Sequence, residues 1–310
     1  MHFIVTGGAG FIGSHLVEQL LAEGHNVTVV DNLVTGSLNN LPESPYLKLV
    51  SQNIADCKPQ DFTQPIDGIA HLAATPSVTE SWLNPLEAHH NNLSTLLSVL
   101  LLCKDLNIPR LVLASSAAVY GNPISVPISE EHPTSPISPY GLQKLVCEQY
   151  ATLFAKQFGL SFVGLRLFNV FGPRQQPNSP YSGVISIFIS AAQQGLPITI
   201  YGDGTQTRDF IYVKDVANAF SKALTHPMEP GSSLTCNIGT GTSISLIQLL
   251  NIVKDLFPEW QSEPQFSSPR PGDIQDSRSD ILKAINNLGF TPKWSVQSGL
   301  KSLMNFPVEK

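Results

Sequence analysis

Tyr140 and Lys144 stand four residues apart, so a helix would set them on one face. A phenol alone ionises near pH 10, about three units too high for work at neutral pH. An ammonium beside it stabilises the phenolate and turns the two into a candidate general base. Upstream, Ser115-Ser116 closes an apolar run and leads into Ala117-Ala118-Val119-Tyr120-Gly121, which offers a hydroxyl for the same site. Near the N-terminus, Thr6-Gly7-Gly8-Ala9-Gly10-Phe11-Ile12-Gly13 places Gly7, Gly10 and Gly13 between a strand-like run and an amphipathic one. Their missing side chains allow a tight turn, close approach of a pyrophosphate to the backbone, and close helix–strand contact. The spacing is G-x-x-G-x-x-G, and Asp31, at the end of the next β-rich run, follows Gly13 by 18 residues. A carboxylate at that point hydrogen-bonds a ribose 2′-hydroxyl and repels a 2′-phosphate, which favours NAD over NADP. A positively charged nicotinamide would further stabilise a Tyr140 phenolate.

Alternating elements must position these groups. Apolar β-rich runs predict strands at His2 to Thr6, Val27 to Val30, Leu47 to Val50, Gly68 to Ala73, Arg110 to Ser115 and Ser161 to Leu167. Ile12, Leu16 and Leu20, with Val17 and Leu21, line one face of a helix that Gly24 ends; further helices are predicted from about Asn91 to Leu106 and from Tyr140 to Gly159. This order implies a doubly wound parallel sheet of Rossmann type, whose strand carboxyl ends carry the ligand site. After Asn169 the pattern changes. Residues 172–183 are rich in Pro, Gly, Ser and Gln and read as a loop, residues 258–273 are again proline-rich, and Asp209 to Val213 and Leu234 to Ile238 read as strands. The expected organisation is an NAD-binding domain over 1–168, rejoined by 209–236, and a smaller α/β substrate-binding domain over 169–208 and 237–310 at the C-terminal end.

The chain's 310 residues, 42% hydrophobic and 14% charged, describe a globular protein rather than a disordered one. A net charge of −6 without a basic block argues against a nucleic-acid partner. Apolar runs such as Leu96 to Cys103 are far short of the roughly 18 residues of a membrane span. Met1 to Val5 runs directly into the first strand without a signal-peptide pattern, and Cys57, Cys103, Cys147 and Cys236 form neither a metal-type nor a disulfide-framework spacing. The expectation is a cytoplasmic protein that binds no metal.

Taken together, the residues resemble the extended short-chain dehydrogenase/reductase family and, within it, the nucleotide-sugar epimerases. The likeness spans nearly the whole chain. It rests on the glycine turn, Asp31-Asn32, His71-Leu72-Ala73-Ala74, Ser115 to Gly121, Tyr140-Gly141-Leu142-Gln143-Lys144, Arg166-Leu167-Phe168-Asn169, Arg208-Asp209-Phe210 and Arg270-Pro271-Gly272-Asp273. The resemblance implies a catalytic set of Ser116, Tyr140 and Lys144. It implies NAD contacts from Gly7, Gly10, Phe11, Ile12, Gly13, Asp31, Asn32, Ala73 and Asn92, with Lys144 on the nicotinamide ribose and Phe168 beside the ring. Asn53-Ile54 stands where the family usually carries Asp-Ile near the adenine, and Thr95-Leu96 replaces the usual Gly-Thr after Asn92.

The resemblance places Asn169, Arg208 and Arg270 around a substrate diphosphate, Asp273 on the nucleotide ribose, and Val184 and Tyr201 near the nucleotide. Arginine forks suit phosphate oxygens. Family dehydratases carry an Asp-Glu pair beside the catalytic hydroxyl, and family decarboxylases a Glu; this chain has Ala117 and Ala118. The implied reaction is therefore C4 epimerisation of a UDP-sugar through a transient 4-keto sugar. Ser277, seven residues after Arg270, corresponds to a gate beside the C2 substituent and leaves room for an N-acetyl group. The expected substrates are UDP-GlcNAc/UDP-GalNAc together with UDP-Glc/UDP-Gal; the alternatives are a UDP-glucuronate 4-epimerase and a 4-keto-sugar reductase. A homodimer is also implied, through the 91–106 and 141–158 helices.

Overall fold

The computed structural model describes residues 1–175, 183–269 and 274–304. The first half runs β1 (His2–Thr6), α1 (Phe11–Ala22), β2 (Asn26–Val30), β3 (Leu47–Val50), β4 (Gly68–His71), α2 (Val78–Leu83), α3 (Pro85–His89), α4 (Thr95–Asp105), β5 (Arg110–Ser116), α5 (Pro139–Phe158) and β6 (Ser161–Leu167). The second half runs β7 (Asn169–Phe171), α6 (Val184–Gln194), β8 (Thr199–Tyr201), β9 (Thr207–Arg208), β10 (Phe210–Tyr212), α7 (Val213–Thr225), β11 (Ser233–Ile238), β12 (Ile244–Ser245), α8 (Leu246–Leu256), β13 (Gln265–Ser267), α9 (Leu282–Leu288) and α10 (Val296–Met304).

Seven parallel strands form the main sheet in the order β11-β6-β5-β4-β1-β2-β3. The order reverses between β1 and β4, which opens the crevice of a doubly wound sheet at their carboxyl ends. Both faces are covered, so the inner strands β1, β4, β5 and β6 are buried nearly throughout, while the edge strands β3 and β11 carry exposed positions. Phe3, Val5, Val29, Val112 and Leu165 pack against Leu16 and Leu20 of α1 and Phe220 of α7 on one face. Ile4, Ile69, Leu111, Leu113 and Phe162 meet Leu96, Leu100 and Cys147 of α4 and α5 on the other. A third cluster, with Phe188, Ile200, Tyr212, Leu249 and Trp260, forms the core of the smaller lobe. Three two-stranded sheets accompany that lobe: β10-β7, β12-β9 and β13-β8.

The elements differ from the sequence reading in places with a physical cause. β4 stops at His71 rather than Ala73, because the Thr6 hydroxyl takes the N–H groups of Leu72 and Ala73. The helix expected from Asn91 is helical already from Pro85 and carries one π-turn, His90–Ser94, before α4. Val213 starts α7 instead of ending a strand. The chain returns to the large sheet through α7 and β11, and α9 adds Ala284 and Leu288 to the cluster against that sheet. Among the described residues no helix is long and apolar enough to cross a membrane.

Candidate active site

The glycine turn leaves β1 and enters α1. Gly7 adopts a φ of +68°, and a Cβ there would lie 2.8 Å from the Ala73 backbone nitrogen. At Gly13 a Cβ would lie 2.1 Å from the Gly7 carbonyl oxygen, so the first turn of α1 sits directly on the turn before it. A side-chain cap can satisfy the first amides of a helix; Ser138 does this for α5, and Ser245 with Gln248 for α8. α1 has no side-chain cap and no acidic residue in its first turn. An uncapped helix start behind a glycine cradle suits a pyrophosphate, and the residues present therefore fit NAD.

Asp31 is buried at the end of β2, where one carboxylate oxygen accepts the Ala9 N–H at 2.9 Å and the other the Leu33 N–H at 2.8 Å. It thus fixes the glycine turn as well as offering its carboxylate. Asn32 is exposed, with its side-chain oxygen on Val34 N. Asn53 caps a short 3-10 turn through Ala55 N, and Ile54 is buried against α4. Asn92 is buried in the π-turn, where its side chain bonds Thr75 N at 2.7 Å, Thr75 O and Gln143. It holds the 73–77 loop against α5. Ala73 lies on that loop, facing Gly7. Phe168 packs with Val119, Tyr120 and Ile128 just past the end of β6.

The end of β5 separates its two serines, as alternating strand positions must. Ser115 is buried and donates to Glu148 at 2.5 Å. Ser116 turns the other way, caps the 3-10 turn Ala117–Tyr120 through Ala118 N at 3.1 Å, and hydrogen-bonds the Tyr140 phenol. Tyr140 stands in the first turn of α5, started by the Ser138 cap, with its own N–H on Ser81. One turn on, Lys144 is buried, donates to the Ala114 carbonyl at 2.8 Å and places its Nζ 5.8 Å from the Tyr140 ring centre. Burial pushes the Tyr140 phenol up to about 12, against the opposing effect of the Ser116 hydrogen bond, and pushes the Lys144 ammonium below its usual range. The protein alone thus keeps this phenol protonated at neutral pH. A positive charge bound beside it would lower that value, and the nicotinamide ring of NAD carries one.

Behind these groups lies an ion pair that the sequence reading did not assign. Arg166 on β6 meets Glu148 on α5 at two points, Nε to Oε1 at 3.0 Å and Nη2 to Oε2 at 2.8 Å, with both residues buried. Arg166 also donates to the Tyr120 hydroxyl at 2.9 Å, and that hydroxyl donates to Asn237 at 2.6 Å. An arginine one residue from the end of a largely apolar strand was the available signal.

On the smaller lobe, Asn169 opens β7, Val184 opens α6, Tyr201 ends β8 and Arg208 lies on β9 with one guanidinium nitrogen on Thr207 O. Ser277 is buried in a segment held on one side by Thr207 N to Gln275 O and on the other by Ile128 N to Arg278 O. Tyr201 also lines a cavity of about 700 Å³ with Asp203, Gln206, Phe266 and Gln275, residues the sequence reading had not singled out. Arg270 and Asp273 lie outside the described residues. Among the described residues there is no cluster of three His, Cys, Asp or Glu that could hold a metal ion.

Two buried histidines make the site's surroundings acid-sensitive. The Thr6 hydroxyl accepts Leu72 N–H and Ala73 N–H, so its own proton goes to His71 Nδ1 at 2.8 Å. Burial, with Lys144 nearby, holds His71 down to about 3, and burial holds His15 to about 4. Unfolded histidine titrates near 6.5, so below that pH the unfolded chain binds more protons than the fold. The stability these groups allow is intact above about pH 6.5 and is lost as pH falls toward their folded values. Unfolding free energy from urea midpoints should therefore decline between about pH 6.5 and 4, and His71→Gln should shallow that slope by about 1.4 kcal/mol per pH unit. An unchanged slope would show that His71 is not held neutral.

Comparison with known proteins places the chain in a family. The NAD dependent epimerase/dehydratase family model aligns with residues 3–239. A UDP-N-acetylglucosamine 4-epimerase from Methanobrevibacter ruminantium, solved in complex with UDP-N-acetylmuramic acid, is 37% identical, with a TM-score of 0.91 and 98% of each chain covered. A UDP-glucose 4-epimerase from Thermotoga maritima, solved with UDP-glucose, is 35% identical at a TM-score of 0.92, again over 98% of each chain. The UDP-glucose 4-epimerase of Thermus thermophilus, solved with NAD, is 35% identical at a TM-score of 0.87 over 98% of each chain. With its fold, glycine cradle and family match in agreement, the chain belongs to the NAD-dependent epimerase/dehydratase family.

Proposed function

We propose that this enzyme is a UDP-sugar 4-epimerase that interconverts UDP-GlcNAc with UDP-GalNAc and also accepts UDP-Glc and UDP-Gal. The observation that carries this reading is a site with one hydroxyl, one phenol and one ammonium, and with Ala117 and Ala118 where a second acid would stand. Glu148, the carboxylate on the same helix, is committed to Arg166 and Ser115. Elimination of water across C5 and C6 needs an additional proton carrier; inversion at C4 needs one base acting on O4. Bound NAD supplies a two-electron acceptor that returns the same electrons, so the reaction is redox-neutral overall. Tyr140 takes the O4 proton and gives it back, Ser116 holds that oxygen by hydrogen bonding, and Lys144 keeps positive charge beside the phenol.

The substrate assignment draws on the smaller lobe. The cavity beside Tyr201 and Phe266 offers an aromatic wall and polar edges to a base, with Asn169, Arg208, Arg270 and Asp273 as contacts for the diphosphate and ribose. Ser277 is the residue proposed to leave room at C2. Support also comes from relatives whose described substrates or ligands include UDP-glucose and N-acetylated UDP-sugars.

Tyr140→Phe removes the base and leaves its ring, so turnover should fall by at least about 100-fold while NAD stays bound, as read from coupled sugar assays and cofactor absorbance. A Phe variant with native turnover would sink the mechanism. Ser277→Tyr should suppress turnover of N-acetylated sugars first, by about 10-fold or more relative to UDP-Glc, because a filled pocket rejects bulk. Equal loss on both sugar types would remove Ser277 as the gate.

The same reading includes a homodimer. Leu101 of α4 and Tyr150 and Leu153 of α5 are exposed on neighbouring helices, beside exposed Trp82 and Leu86. Apolar side chains exposed on helices that pack together favour a second copy over water. Leu101→Glu combined with Leu153→Glu should convert a dimer to a monomer in sedimentation analysis; a wild-type chain that sediments as a monomer at micromolar concentration would contradict the dimer.

A further inference from the structure

Two local irregularities meet at one seam away from the candidate catalytic residues. Arg174 adopts a φ of 69°, a left-handed backbone that a non-glycine residue keeps only where its surroundings impose it. His15 is buried, and its Nδ1 has no hydrogen-bond partner. The two belong to one contact. His15 Nε2 lies 3.1 Å from the Pro173 carbonyl, which can only accept, so the ring proton sits on Nε2 and the Nδ1 lone pair is left over. Arg174 donates to Ser14 Oγ at 3.1 Å and to the Glu18 carboxylate. Ser14, His15 and Glu18 all lie on α1, the helix opened by the glycine turn, and the His15 ring stands edge-on to Phe11, with centroids 6.4 Å apart.

The other end of the same short segment grips the smaller lobe. Gln175 donates to the Val170 carbonyl at 3.3 Å, and its side-chain oxygen accepts from Ser186 Oγ at 2.8 Å. Val170 follows Asn169 on β7, and Ser186 lies in the first turn of α6, two residues after Val184. Gly172 is seated so tightly on Val213 that a Cβ would approach Val213 Cγ1 to 2.4 Å. Four consecutive residues therefore tie the helix that begins at the cofactor cradle to both elements that carry proposed nucleotide-sugar contacts. Neither irregularity contributes to a core, and each costs free energy that a relaxed loop would avoid.

We propose that residues 172–175 are the joint that couples nucleotide-sugar binding to NAD binding, with Arg174 as the positioning residue that transmits it. The inference rests on the nucleotide-sugar reading of the smaller lobe. Occupancy on the β7 and α6 side selects one seating of the segment, and that seating fixes α1 through His15 and Arg174. A ligand shifts such an equilibrium only by binding the two seatings unequally, and the coupling must act in both directions.

The test is the rate of NAD release from the purified holoprotein, with and without saturating UDP. UDP should slow release from the wild type by at least about fivefold, the lower end of ordinary coupling between sites. Arg174→Gly keeps the left-handed backbone available and deletes the guanidinium, so UDP should still bind and no longer slow NAD release. Glu18→Gln, a milder change at the exposed partner, should weaken the effect in the same direction and serves if the glycine variant does not fold. Equal slowing in wild type and both variants would overturn the joint, as would UDP binding to wild type without any slowing. Failure of UDP to bind the wild type at all would overturn the nucleotide-sugar reading and the coupling with it.

Discussion

The site depends on a phenol and an ammonium placed together where water is scarce. Each loses solvation on burial, and the losses have opposite consequences for charge: Tyr140 is driven toward its neutral form, and Lys144 is driven to give up its proton. The fold offsets this with fixed dipoles rather than with a counter-ion in direct contact. The Ala114 carbonyl receives the Lys144 ammonium, and the Ser116 hydroxyl meets the phenol. What these partners do not supply is a positive charge in contact with the phenol oxygen, since Lys144 Nζ stands 5.8 Å from the ring centre. That lack makes the protein a poor base alone and a candidate base once a cationic cofactor lies in the crevice.

Most of the surrounding architecture serves to hold two strand ends and one helix start in register. β1 and β5 deliver the glycine turn and Ser116, and α5 delivers Tyr140 and Lys144 one turn apart. The Glu148–Arg166 pair fastens α5 to β6 from behind, and Ser115 attaches β5 to the same carboxylate. A buried pair of this kind adds little net stability over an apolar filling, yet it fixes a single arrangement when all its donors are satisfied. Asp31 and Thr6 do the equivalent at the cofactor end, tying the glycine turn to β2 and to the 71–73 loop through backbone N–H groups.

The parallel sheet, the glycine turn and the spacing of Tyr140 and Lys144 were legible in the sequence because each leaves a local pattern: continuous apolar runs, glycines between strand and helix, a four-residue repeat. The smaller lobe was harder to read. α6, with four β-branched isoleucines and valines in its first six residues, has the composition of a strand and becomes a helix because its apolar face is covered by the third core. α8 begins at a Ser245-x-x-Gln248 box, a signal that the sequence reading did not use. Asn92 carried a family role in the sequence; the bonds of its side chain to Thr75 and Gln143 are a long-range arrangement that no local spacing encodes. The same holds for Glu148 with Arg166, eighteen residues apart on different elements.

The central claim is that the buried phenol of Tyr140 becomes a base at neutral pH because of the charge of bound NAD. It is tested most directly by titrating the phenolate ultraviolet band, as the difference between the wild type and its Tyr140→Phe variant, in NAD-loaded and NAD-stripped protein. The account predicts that the stripped protein titrates near 12, as burial imposes, and that loading with NAD lowers the midpoint by several units. A midpoint that is the same in both forms would contradict it.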